Sequence, residues 1–260
     1  MHLFNARTHL RSVLITALLS LCTAPLSAEW SLGFKAGLVP ITSGDFHRGP
    51  SFDGSVLLGL PAGSLPVNVD AKSFGDVYDK FEEIAFEASY APSEKLTYTL
   101  GTSWLSSDEG DLRVGTVAGS LPLNGRFSEY EDFQVYAGLR YNFRVTERWN
   151  PYVAARLGYA WVDEITASFS VPGTPFNAPY QAALTDTKFY DASNLLTYGV
   201  LVGVDYAFND RFSLGLETGY LAQGSLDDDD SVLGLLGLNA LNDEGSLSYV
   251  PVRLSLNFRF

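Results

Sequence analysis

The chain has 260 residues, with 30 acidic against 17 basic side chains and a single cysteine. So acidic a balance argues against nucleic acid as a partner, and one thiol excludes a disulfide framework within the chain.

The first element in chain order is an address. Residues 1–11 carry Arg7 and Arg11, the apolar run SVLITALLSLC follows, and TAPLSA supplies small residues up to Ala28. This three-part layout predicts a secretory signal peptide over 1–28, cleaved after Ala28, with a mature domain over 29–260. The apolar run is too short for a permanent membrane anchor. Leu21 precedes Cys22 where a lipoprotein signal needs a small residue, which argues against lipid attachment. Cleavage removes the only Cys, the only Met, His2 and His9. It leaves no thiol site and no histidine-based metal site. An exported, cysteine-free chain rich in Gly and Tyr points to the envelope of a Gram-negative-type bacterium.

From Glu29 onward the pattern alternates. Strict period-two alternation signals a strand with unlike faces. WSLGFKAGL puts Trp30, Leu32, Phe34, Ala36 and Leu38 on one face. EIAFEASYA repeats this with Ile84, Phe86, Ala88 and Tyr90, and after the turn PSEK so does LTYTLGTSW. FQVYAGLRYNF and PYVAARLGYAW flank the turn RVTERWN. LTYGVLVGVDYAF and FSLGLETGY flank the turn NDR. YVPVRLSLNFRF ends the chain, with Val250, Val252, Leu254, Leu256, Phe258 and Phe260 in phase. Eight segments, joined alternately by tight turns and long loops, predict an all-β fold. The expected form is an eight-stranded antiparallel up-and-down transmembrane β-barrel, with four long extracellular loops and three short periplasmic turns.

Which face meets lipid follows from volume. An eight-stranded barrel has an interior just wide enough for side chains, so Tyr, Phe and Trp from every strand cannot all point inward. The alternate face carries Lys35, Glu83, Glu87, Gln134, Arg140, Arg156, Asp205, Glu217 and Arg253, spaced by glycines. The apolar face is therefore expected to point outward. Aromatic residues near both strand ends form two interfacial girdles. The terminal segment pairs with the first, because an open edge in lipid leaves backbone groups unsatisfied.

The stretches YAGLRYNF (136–143), PYVAARLGY (151–159), VGVDYAFNDRFSLGLETGY (202–220) and the terminal LSLNFRF resemble the eight-stranded OmpA/OmpX/Opa-type outer-membrane barrels, with OmpW-type barrels as the rival subfamily. The resemblance covers most of the mature chain as a pattern, and its motifs are generic. It implies residence in the cell outer membrane among lipid and lipopolysaccharide. It also implies that Phe258 and Phe260 form the signal read by the outer-membrane assembly machinery.

Three constellations are candidate sites. Lys35, Glu87, Arg140, Arg156, Asp205, Glu217 and Arg253 fall at similar depth from the tight-turn end. Lys35 is expected beside Glu87, Arg156 near Asp205, and Glu217 beside Arg253. Buried charges must be paired, so this layer reads as a salt-bridged plug, with an ion-selective constriction as the alternative. Asp227, Asp228, Asp229 and Asp230 are oxygen ligands of the type that suits a divalent cation, and otherwise form a hydrated loop. His47 lies in the first loop and reads as a solvated histidine. Catalytic residues, cofactors and a metal centre are not expected.

The loops are apolar for exposed segments. SVLLGLPAGSLPVNV (55–69) and VAGSLPLNG (117–125) share a GSLP[VL]N echo, and SVLGLLGLNAL (231–241) suits a short helix capped by Asp230 or Ser231. Packing into a cap above the barrel is one reading, and a surface for an extracellular or hydrophobic ligand is the other. The expected function is non-enzymatic: a structural and surface-interaction barrel with a largely occluded lumen. The alternative is a small-pore or OmpW-like transporter of small or hydrophobic molecules.

Overall fold

The computed structural model describes residues 29–143, 146–234, 238, 241–243 and 245–260. The proposed signal segment and part of the apolar stretch 231–241 lie outside the described residues. Strands are numbered in chain order. The first is β1 (Glu29–Ser43), followed by β2 (Asp45–His47), β3 (Ser51–Asp53), β4 (Pro66–Val69) and β5 (Lys72–Ser73). Next come β6 (Phe81–Ala91), β7 (Leu96–Ser107), β8 (Gly110–Val117), β9 (Leu121–Phe127) and β10 (Tyr130–Asn142). The remainder are β11 (Trp149–Val162), β12 (Ile165–Ser170), β13 (Thr187–Tyr190), β14 (Ser193–Ala207), β15 (Phe212–Ser225) and β16 (Ser246–Arg259).

Eight of these close into a barrel in the order β1-β16-β15-β14-β11-β10-β7-β6. Each alternating segment of the sequence has become one wall strand, paired antiparallel with its neighbours. The terminal strand closes the ring, with Phe34 opposite Leu256 and Leu38 opposite Val252. The backbone N–H of Phe260 then donates to the Trp30 carbonyl at 3.1 Å. This closure satisfies the edge that lipid would leave bare.

The apolar face points out. Leu157, Val200 and Leu254 are each more than half exposed, and Phe34, Phe86, Leu214 and Leu256 are exposed beside them. At the short-turn end, Trp30 packs on Tyr90, Trp149 on Tyr206, and Phe212 on Phe258, all with ring centres within 5.1 Å. At the long-loop end Trp104, Phe133 and Trp161 form a row across three strands.

The long loops are folded. β13, β12, β9, β8, β4 and β3 hydrogen-bond into a second, six-stranded sheet, and β2 pairs with β5. The two copies of the sequence echo lie on either side of β8: Val67 and Leu121 both face Val117. Gly63 and Gly119 precede them with positive φ, as tight turns between strands require. The core of this cap is aromatic. Phe46 lies at its centre, with Phe74, Tyr78, Phe127, Phe189 and Tyr190 around it at 4.9–5.7 Å. Its lower edge, Phe81 and Tyr130, belongs to wall strands β6 and β10, so cap and barrel share one continuous interior. Burial pushes the Tyr78 and Tyr190 phenols above their ordinary range. The Tyr78 hydroxyl donates to the Ser128 carbonyl at 3.0 Å.

Candidate functional site

The lumen holds the charges, and their pairing is set by register. Arg253 on β16 and Glu83 on β6 are not on adjacent strands; β1 lies between them. Gly37 of β1 is the partner of both, and a side chain there would press into the Arg253 Cγ at 2.9 Å. The gap left by that glycine lets the Arg253 guanidinium reach across, with Nε and Nη2 donating to Glu83 at 2.7 and 2.8 Å. Its Nη1 donates to Glu217 at 3.0 Å. Lys35 donates to both oxygens of Glu217 at 3.0 Å and approaches Glu87 at 2.9 Å. The Tyr152 hydroxyl is a third donor to Glu217, at 2.8 Å.

Two of the expected pairings, Lys35 with Glu87 and Glu217 with Arg253, are therefore in contact. The third is corrected. Asp205 lies opposite Asn150 in the β11–β14 ladder while Arg156 lies opposite Gly199, which puts the two at different heights. Asp205 pairs instead with Arg140, whose guanidinium covers the Tyr152 ring at 3.5 Å. Arg156 reaches Glu83 at 3.7 Å and Ser103 at 2.9 Å, and stacks on Tyr136 at 3.5 Å. Nor do the charges form one layer. The Arg140–Asp205 pair, the Lys35–Glu87–Glu217 cluster and the Arg253–Glu83–Arg156 cluster are linked tiers. Glu83, legible in the sequence as inward-facing, joins two of the arginines. Strand tilt, invisible when residues are counted from strand ends, produces this stacking.

Above the arginines the lumen continues as a hydrogen-bonded network around Asp132. Gln134 and Gln223 donate to Asp132, and the single Tyr130 O–H proton is shared between Gln223 Oε1 at 2.9 Å and Asp132 at 3.2 Å. Asp132, Gln134, Tyr130 and Tyr249 are all essentially buried, and the aromatic core of the cap lies over them. Below the charges the lumen widens into a vestibule of about 440 Å3 at the short-turn end, with Lys35, Glu87, Arg140, Tyr152 and Asp205 along its inner wall.

The other candidates fare differently. His47 is corrected: it is 2% exposed, wedged against Phe46 and Phe127 rather than solvated. Burial holds its imidazole below the ordinary 6.5. Around the acidic run, no three acidic, histidine or cysteine side chains gather as metal ligands among the described residues. Asp229 is turned inward, its carboxylate accepting from the Ser231 amide at 2.8 Å, while Asp227, Asp228 and Asp230 are exposed. Partial burial, with the neighbouring carboxylates, raises Asp230 above its ordinary range. Phe258 and Phe260 stack 6.0 Å apart at the short-turn rim.

A closed ring of strands, apolar outside and ionic within, defines a membrane-spanning β-barrel. The chain belongs to the outer membrane protein beta-barrel domain family, which it matches over residues 14–242. Solved structures with a similar course include Neisserial surface protein A, at 14% identity and a TM-score of 0.44, over 90% of this chain and 100% of that one. Outer membrane protein OprG from Pseudomonas aeruginosa shows 13% identity and a TM-score of 0.44, over 90% and 95%. Outer membrane protein AlkL shows 14% identity and 0.38, over 92% of both chains. No curated protein matches.

Proposed function

We propose that this protein is a non-enzymatic outer-membrane barrel whose lumen is a structural plug and whose work is done by the folded cap. The observation that carries this reading is the unbroken stack of buried side chains along the axis, from Lys35 and Glu217 through Arg253 and Gln134 to Phe46. Ions crossing that stack would have to break several buried charge pairs at once, each costing about 3–5 kcal/mol when one partner is lost. The cap is then a rigid surface for contacts outside the cell or for envelope integrity. Lipid and lipopolysaccharide surround the wall, and the assembly machinery reads Phe258 and Phe260.

Planar-bilayer recording tests the plug. The wild-type chain is expected to be electrically silent. A steady conductance that falls on replacing Arg140 or Glu217 would instead establish transport. That second reading has one observation in its favour, the vestibule open at the short-turn end. Catalysis on lipid is disfavoured by the enclosure of His47, the sole histidine among residues 29–260. Lipid A mass spectra should be identical in wild-type, His47→Ala and deletion strains.

A further inference from the structure

His47 takes no part in the plug, yet its position is unusual for a titratable group. It ends β2 in the first loop and is packed by rings from two others. Phe127 of β9 stacks on it at 6.2 Å and Phe189 of β13 meets it edge-on at 6.3 Å. Its neighbour Phe46 accepts a hydrogen bond from Tyr190 of β13 through its backbone carbonyl. Nδ1 faces the Arg48 carbonyl at 3.0 Å. A carbonyl only accepts, so Nδ1 carries the proton and Nε2 is a bare lone pair. Nε2 is buried and has no hydrogen-bond partner.

We propose that His47 is an acid-sensitive latch: while neutral it locks the first loop to the second and third, and on protonation it releases them, exposing the aromatic core of the cap. A second ring N–H would point into a cage that holds no acceptor for it, and the charge would be cut off from water. The charged neighbours do not supply a counter-ion at hydrogen-bonding range. Lys72 of β5 is the strand partner of His47 and opposes a second positive charge; Arg48 follows it in the chain. Asp70 and Asp76 favour the cation only through space, and Asp76 is engaged with Ser73. Asp45 lies on β2 itself. From β9 and β13 come the rings, while Arg126 and Lys188 on those strands are tied to Glu109 and to Glu164 and Asp191. The Phe127 and Phe189 faces attract a cation weakly, which does not replace lost hydration.

The sign follows from burial. The folded cap binds the His47 proton less well than the open cap does, so closure is fully stable above pH 6.5 and weakens as pH falls below it. Hydrogen-exchange mass spectrometry on the full chain folded in detergent reads this directly, at pH 7.5 and 5.0, after correction for intrinsic exchange. Protection in β2, β9, β13 and the helix at 74–77 should fall by up to about tenfold per pH unit below 6.5, with the wall strands unchanged. His47→Phe should keep the cap protected at pH 5.0, and Asp132→Asn should respond to acid as wild type does. Unchanged cap protection in wild type, equal loss in His47→Phe, or abolition of the response by Asp132→Asn would each overturn the latch. Should His47→Phe fail to fold, the ring carbon resonance of His47 in the wild-type chain decides. Titration below the ordinary histidine range, together with loss of cap signals, supports the latch; titration at 6.5 without change in the cap refutes it.

Discussion

At the scale of single residues, glycine and arginine act together. Gly37 has Arg253 on one side and Glu83 on the other, so a Cβ at 37 would occupy the route between them. Gly37→Val should weaken the barrel and lower the temperature at which the folded band converts to the unfolded band on gels. Arg253 is the centre of the charge tiers. Arg253→Ala leaves Glu83 and Glu217 facing each other in a closed space and should cost about 3–5 kcal/mol in urea unfolding from lipid vesicles. Pairing Arg253→Met with Glu83→Gln should recover only part of that loss: one charge of each sign leaves together, but Arg156 loses the carboxylate it shared with Arg253. A double variant as unstable as Arg253→Ala would mean that shape, rather than charge, is what Arg253 supplies. A similar fit occurs at Gly101, where the Tyr136 ring carbon Cζ lies 2.6 Å from the place a Cβ would take. The ring covers backbone that no side chain could share.

At the scale of elements, each wall strand has one solvent, and that solvent is lipid. Leu254 lies between Ala36 of β1 and Leu216 of β15, well exposed on the outer face. Leu254→Arg should destabilise the folded barrel by about 2–4 kcal/mol in vesicles. An arginine at Ser225, on the loop side of the same sheet, should cost far less. The β1–β16 seam contains an irregularity between Leu38 and Ile41, where Pro40 and Pro251 withhold backbone donors. Along the rest of the seam the ladder is regular, and closure depends on the last strand. Deleting the terminal Phe258-Arg259-Phe260 segment removes the ring stack on Phe212 and the final backbone bond to Trp30. The truncated chain should assemble poorly into outer membranes, as read by protease sensitivity in whole cells.

At the scale of the whole molecule, barrel and cap form one object with two solvents. The wall is turned inside out relative to a water-soluble protein, while the cap has an ordinary buried core. The junction is the layer of Phe81, Leu105, Tyr130 and Tyr249, where wall strands rise out of the apolar belt and begin to bury their inward faces against loops. A chain lacking residues 55–69 should still fold as a barrel, since none of the wall pairings uses them. It should lose the β3–β4 edge of the cap sheet, because β4 and its pairing to β8 go with it, while β8, β9, β12 and β13 stay hydrogen-bonded. Far-UV circular dichroism in detergent would retain strand signal, and near-UV signal from the aromatic cluster, none of whose rings lies in 55–69, would persist.

What the amino-acid order determined alone is the wall. Alternation with period two names the strands and their outward faces, and loop lengths assign the two ends. These are local or additive properties, readable residue by residue. Tertiary structure decided which charges meet, because strand tilt shifts Asp205 to Arg140 and brings Glu83 under Arg253 and Arg156. It also decided that the loops fold into a sheet with a shared aromatic core, and that His47 lies inside it. Those outcomes depend on pairings between segments far apart in the chain, such as Phe46 with Phe127 and Phe189, and no local period encodes them.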